Sequence, residues 1–161
     1  MRLFYNLISR IFPENVALAH CDIPCGIYDP HNAQMAAHTV LRMTMLIPQI
    51  KRDDEVKAEH DMARVTRVKE KHGAMMEEEL GTLENDYFKH EHFEKFPNLK
   101  GLIEEAVKLS IKTRQNIDEE ACRKMIETVM QIAEIFYKTK NLESVRIASG
   151  YPTEGEIVFH K

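Results

Sequence analysis

Tryptophan is absent from the 161 residues, and cysteine (3), glycine (6) and proline (6) are all scarce. Three thiols cannot build a disulfide scaffold, and the odd number points to thiols used in another way. So little glycine and proline, beside 43% apolar and 30% charged residues, excludes collagen-like repeats and a disordered chain. No apolar run approaches the roughly 18–20 residues of a membrane span, so stable membrane insertion is not expected. Basic blocks are missing too. With 22 Lys+Arg against 26 Asp+Glu the net charge is −4, and nucleic acid is not an expected partner. Methionine, by contrast, is plentiful at 9, which suits helices packed through adaptable side chains. The length is one domain's worth, enough for a single core.

Four stretches differ in character. Residues 1–19 carry Arg2 and Arg10 among interrupted apolar residues and close on Ala17-Leu18-Ala19, an A-x-A pattern of the kind peptidases cut. Asn6, Ser9 and Arg10 break the apolar stretch of a secretory signal, so the segment reads as a pro-segment that is removed. Residues 20–30 hold the chemistry. Residues 31–140 are helical in pattern. Ala36, Val40, Met43 and Ile47 mark a first helix, ended by Pro48. Val65, Val68, His72, Met76 and Leu83 mark a second, weakened at Gly73 and Gly81. A polar, aromatic connector leads to Pro97, expected in the first turn of a third helix lined by Leu99, Leu102, Ile103, Ala106 and Leu109. A fourth, capped by Asp118, turns Ala121, Met125, Val129, Ile132 and Phe136 inward. The expected fold is all-α, an up-down four-helix bundle with an N-terminal metal-binding hook. In residues 141–161, turn signals at Gly150-Tyr151-Pro152 and Glu154-Gly155 fit a hairpin against the bundle or a subunit-contact arm.

The segment His20-Cys21-Asp22-Ile23-Pro24-Cys25-Gly26-Ile27-Tyr28 concentrates the donors. A cut after Ala19 makes His20 N-terminal, with a free amine and an imidazole. The Cys21 amide nitrogen and thiolate then close two chelate rings, and Cys25 returns as a second thiolate because Pro24 and Gly26 favour reversal of the chain. Two thiolates, an amine and a deprotonated amide form a planar set suited to Ni(II) or Cu(II), whereas Zn(II) prefers a tetrahedron. The His20 imidazole is left for an axial position. A bare CxxxC is a weak signal, and without the cleavage a structural zinc or buried thiols would serve equally. Cys122 reads as a small core residue, and His90-Glu91-His92 as solvated or structural.

HCDIPCGIYDP resembles the hook of the nickel-containing superoxide dismutases, H-C-x-x-P-C-x-x-Y. Asp86-Tyr87-Phe88-Lys89 and His92-Phe93-Glu94-Lys95-Phe96-Pro97 resemble that family's second segment. The resemblance implies one nickel ion per subunit, held by His20 (amine and axial imidazole), Cys21 (amide and thiolate) and Cys25. It implies a cis bond before Pro24, Asp22 fixing the loop, Tyr28 over the open axial face and Tyr87 behind it. It implies a homohexamer, a maturation peptidase cutting after Ala19, and superoxide converted to dioxygen and hydrogen peroxide through Ni(III)/Ni(II) cycling. Cytoplasmic loading fits a dithiol that is oxygen-sensitive before the metal arrives.

The pattern is departed from at two positions. Where the family has a Glu in helix one and an Arg in helix two behind the axial imidazole, this chain has Ala36 and His72. His72 is therefore expected to partner the His20 imidazole, directly or through water. Net negative charge repels an anionic substrate, so any steering must be local, and Lys89 beside Tyr87 is the candidate. Two other functions fit the residues: a nickel or copper carrier using the same chelate without turnover, and a helical oligomer with a Cys21–Cys25 disulfide.

Overall fold

The computed structural model describes residues 25–161. The pro-segment, His20, Cys21, Asp22 and Pro24 lie outside the described residues. What is described is largely helical, with one small sheet: α1 (His31–Leu46), a 3-10 turn (Ile47–Gln49), α2 (Glu55–Thr82), a π turn (Leu83–Tyr87), α3 (His90–Lys95), α4 (Leu99–Gln115), α5 (Glu119–Thr139), β1 (Ser144–Ala148) and β2 (Glu156–His160). The four long helices pack in a closed cycle, α1 on α2, α2 on α4, α4 on α5 and α5 on α1. Asp54 and Asp118 cap α2 and α5, their Oδ1 atoms accepting the N–H groups of Lys57 (3.0 Å) and Ala121 (2.9 Å).

Most of the core falls on the expected faces. Ala33, Ala37, Val40 and Leu41 of α1 meet Met125, Val129, Ile132 and Phe136 of α5, all at 1% exposure or less. Each large side chain so buried contributes about 1.5–3 kcal/mol. Cys122 is fully buried, 3.5 Å from Thr44 Oγ1, and burial pushes its thiol up, away from reactive thiolate.

The α2 stripe corrects the sequence reading. Val65, Val68 and His72 are half-buried, whereas Lys69, Gly73, Met76, Leu80 and Leu83 form the buried row. Gly73 is the cause. Without a side chain it lets Arg114 and Ser110 of α4 lie against the α2 backbone, Ser110 Oγ donating to Gly73 O at 3.2 Å. Lys69 follows it inward, its stem buried and its Nζ donating to Asn116 O at 2.6 Å. Burial pushes that ammonium below the ordinary lysine range. A second correction concerns Pro97, which precedes the Asn98 cap of α4 and so lies outside the helix. The connector before it is also ordered, as a π turn followed by α3.

The tail is a hairpin, with β1 and β2 antiparallel and Arg146 opposite Val158. Gln34 of α1 pairs with the β2 backbone through both amide atoms, accepting from Val158 N (2.7 Å) and donating to Val158 O (3.0 Å). Arg146 bridges to Glu127 and Glu134 of α5. Buried His38 lies 2.8 Å from Thr153 Oγ1 and 3.2 Å from Glu156 O. A carbonyl only accepts, so Nε2 carries the proton and Nδ1 accepts from the threonine hydroxyl.

Candidate metal centre

Cys25 begins the described chain and is exposed, and the next residue, Gly26, adopts φ +73°. An L side chain is strained in that region, so a glycine suits this backbone conformation. The Ile27 N–H donates to Cys25 Sγ at 3.4 Å. A sulfur receiving an N–H in this way suits a thiolate ligand, because the hydrogen bond stabilises its negative charge. Asp29 Oδ1 then accepts the His31 N–H at 2.7 Å and starts α1.

Tyr28 is placed by aromatic packing. Its ring centroid lies 5.5 Å from that of Tyr87, the last residue of the π turn. The π turn closes with Phe88 N donating to Leu83 O at 2.8 Å. The extra residue in that turn lets Leu83 and Phe88 both enter the core while Tyr87 stays beside Tyr28. Phe136 packs on Tyr87 at 4.6 Å and His92 stacks on it at 5.8 Å. Tyr87 is also tethered through its hydroxyl, 2.7 Å from Thr139 Oγ1. Thr139 donates its single proton to Phe136 O at 2.6 Å, so Tyr87 is the donor to Thr139.

Lysines stand at two sides of this pair. Lys89 Nζ donates to Asp86 O at 2.7 Å, which holds its charge beside the π turn. Lys140, at the end of α5, donates to Tyr28 O at 3.3 Å and lies 4.5 Å over the Phe136 ring. Thus the structure brings Cys25, Gly26, Tyr28, Tyr87 and Lys89 to one end of the helices. His72 is farther along α2, half-buried, with Nδ1 donating to Val68 O at 2.8 Å. Ala36 is core, at 2% exposure.

Sequence reasoning missed Lys140 and Thr139 and treated His92 as background. Lys140 carries no pattern of its own; a basic residue after a helix is ordinary dipole chemistry. His92 accepts the Lys89 N–H at 3.0 Å, and that reciprocal cap with α3 was the readable signal. A cleft of about 810 Å³ lies between the end of α1 and the start of α2 and includes none of these residues. Among the described residues no group of three or more His, Cys, Asp or Glu side chains converges as a metal site. Nor is any helix among them long and apolar enough to cross a membrane.

An exposed cysteine three residues before a tyrosine that packs on a second tyrosine, at one end of packed helices, is what the described residues show of the site. The family model described as nickel-containing superoxide dismutase matches residues 15–140. The chain is 35% identical over 135 residues to "Superoxide dismutase [Ni]" of Streptomyces seoulensis, covering 83% of this chain and 98% of that protein. Its counterpart in Streptomyces coelicolor is 33% identical over 135 residues, with the same coverage. Among solved structures, a nickel superoxide dismutase with nickel ligation of the oxidised state superposes with a TM-score of 0.68 at 35% identity, covering 76% of this chain and 99% of that one. The native enzyme gives 0.67 at 32% identity, covering 75% and 99%. The chain belongs to the nickel-containing superoxide dismutase family. It is an oxidoreductase with a nickel cofactor that disproportionates superoxide.

Proposed function

We propose that residues 20–30 form a nickel hook on an up-down four-helix bundle of residues 31–140, in a homohexamer holding one nickel ion per subunit. A peptidase cut after Ala19 frees the His20 amine. That amine, the His20 imidazole, the Cys21 amide and thiolate, and the Cys25 thiolate would hold the ion. Bound there, nickel supplies a one-electron couple, because anionic sulfur and amide nitrogen stabilise its higher oxidation state. Pro24 and Gly26 fold the hook back, and Asp22 fixes the loop.

The remaining steps belong to side chains. Tyr28 would screen the bound ion from reductants bulkier than superoxide, while Tyr87, tethered to Thr139, holds the Tyr28 ring in place. Lys89 draws superoxide toward the mouth against the net charge of −4. Two superoxide ions and two protons leave as one dioxygen and one hydrogen peroxide. His72 is a candidate partner of the axial imidazole. The cytoplasm is the proposed compartment, since reduced thiols awaiting metal survive there.

The observation that carries this reading is the direct covalent run from Cys25, beside Gly26 at φ +73°, to Tyr28 packed on Tyr87. Intact mass with metal analysis tests it. Removal of 19 residues from 161 leaves 142, and the reading requires that chain with one nickel. A chain retaining Met1 with full activity overturns it. Nickel released readily to a chelator, with no dismutation, makes the protein a carrier.

A further inference from the structure

The hairpin lies past residue 140, where the family match ends, and its two edges are not alike. Beyond the strands, Ser149 N donates to Gly155 O and Lys161 N to Glu143 O, so the odd-numbered residues of β1 are the ones bonded to β2. The N–H and C=O groups of Ser144, Arg146 and Ala148 therefore point away from β2. Val158 likewise points its groups outward on the other side, but there Gln34 takes both and closes the edge. Among the described residues no hydrogen bond reaches the outward backbone groups of β1. The strand also lacks a lysine, a proline or a bulge, the usual guards of an open edge. Its one charge, Arg146, is turned onto Glu127 and Glu134 of α5 at 2.8 and 2.7 Å. On the opposite face Val145 stands across from Phe159, and Ile147 across from Ile157. Ile147 is 44% exposed and Phe159 41%.

We propose that a second copy of this chain binds along β1, the two β1 strands pairing antiparallel about Arg146 to join their hairpins into one four-stranded sheet across a two-fold axis. The nickel hook plays no part in this pairing. What selects a second copy is that β1 is self-complementary. With Arg146 at the centre, Ser144 faces the partner's Ala148 and Ala148 the partner's Ser144. The residues that face each other in this way are the ones with outward groups, so each facing pair exchanges two hydrogen bonds and none is left over. Val145 falls beside the partner's Ile147 at the positions without backbone bonds, where side chains come closest. A row from Phe159 through Val145 to the partner's Ile147 and the partner's Ile157 then crosses the whole sheet, and it covers apolar surface that a single chain exposes. The two Arg146 side chains meet on the other face, where like charges would repel. Each already lies between two carboxylates of its own α5, which removes that objection. A foreign strand would find the same open groups without the matched centre.

The test uses the full chain with Val145→Cys, with Ile147→Cys and with both, oxidised gently with diamide. Facing side chains in the pairing have Cβ atoms about 4.5–5.5 Å apart, near disulfide reach, whereas like-numbered residues lie on the diagonal at about 7–8 Å. The double variant is expected to give disulfide-linked pairs of chains, with peptide mass showing residue 145 of one joined to residue 147 of the other. Neither single variant should link. Peptide mass also separates this bond from any made by Cys21 or Cys25. Adding Ala148→Pro to the double variant removes one outward N–H without touching a bond to β2, and should abolish the link. Ser144→Pro does the same at the other end of the strand, and thermal melting shows which variants are folded. No link in the double variant, or one that survives either proline in folded protein, overturns the proposal. Equal linking in the single variants overturns it too, since the apolar faces would then be meeting without strand pairing. Nickel content and dismutation should be the same in every folded variant, so a failure here leaves the hook reading standing.

Discussion

Gly73→Ala is the substitution for which packing and helix propensity predict opposite signs. Inside a helix, alanine is favoured over glycine by about 0.8–1 kcal/mol. At this position the added Cβ would lie 2.6 Å from Arg114 Cδ, 2.8 Å from its Cγ and 3.2 Å from Ser110 Oγ. Carbon atoms prefer about 3.5–4.0 Å, so Arg114 must retreat by roughly 1 Å. Its guanidinium is held 2.7 Å from Glu77, and its Nε is buried without a partner, so the retreat is resisted. Overpacking of this kind costs about 1–3 kcal/mol, and loosening the ion pair adds up to about 1. Subtracting the propensity gain leaves a net destabilisation of about 0–3 kcal/mol, which lowers the melting temperature by roughly 2–4 °C per kcal/mol. Two comparisons isolate the cause. Gly81→Ala meets nothing closer than Asn85 Nδ2 at 4.0 Å and should stabilise by about 0.5–1 kcal/mol. With Arg114→Ala already present, Gly73→Ala should change sign and stabilise, a coupling that a double-mutant cycle measures directly. Urea unfolding at one fixed protein concentration is the assay, since association would shift the midpoint. Stabilisation by Gly73→Ala equal in the two backgrounds would refute the close-approach account.

Lys140→Met removes the charge that holds the Tyr28 carbonyl; nickel release should quicken and dismutation fall while helix content stays unchanged, as read by chelator exchange, rate assay and circular dichroism. Lys89→Ala should flatten the salt dependence of the rate, and an unaltered slope would remove Lys89 from steering. His38 titrates below its ordinary range, chiefly through burial and also through the charge of Arg123, while its bond to the Glu156 carbonyl pulls the other way. The unfolded imidazole therefore takes up its proton first. Stability is complete above about pH 6.5, falls as pH drops toward the depressed folded value, and then levels, and His38→Gln should reduce that fall in urea midpoints.

The helices were legible because their signals are local. Asp118 before an apolar row and the spacing from Ala121 to Phe136 need no tertiary information, and α5 follows them. On α2 the same logic slipped by one residue. Val65, Val68 and His72 offer more apolar surface than Lys69 and Gly73, and periodicity cannot register that a missing side chain is itself a docking surface. The hairpin was bounded by its turn residues. Its attachment was not legible, because Gln34 and His38 read as ordinary polar positions of a helix until strands 115–124 residues away arrive to pair with them.

The site divides in the same way. The proposed ligands lie within six consecutive residues, His20 to Cys25, so their chemistry is written in one stretch of sequence. The seat of Tyr28 is assembled from distant places: Tyr87 in the π turn, and Thr139 and Lys140 at the end of α5. The π turn shows why such a seat resists reading. A regular helix through Leu83 to Phe88 would rotate each residue by about 100° and could not bury both Leu83 and Phe88 while leaving Tyr87 between Tyr28 and Phe136. The i→i+5 bond from Phe88 to Leu83 absorbs the mismatch, and no residue type in Leu83-Glu84-Asn85-Asp86-Tyr87 announces it. What selects the π turn is the depth to which Phe88 is buried, at 3% exposure, together with the hydroxyl partner that Tyr87 finds on Thr139. A tyrosine fixed by ring contacts and one tether has little freedom left, so Tyr87 sets the place of the Tyr28 ring rather than following it.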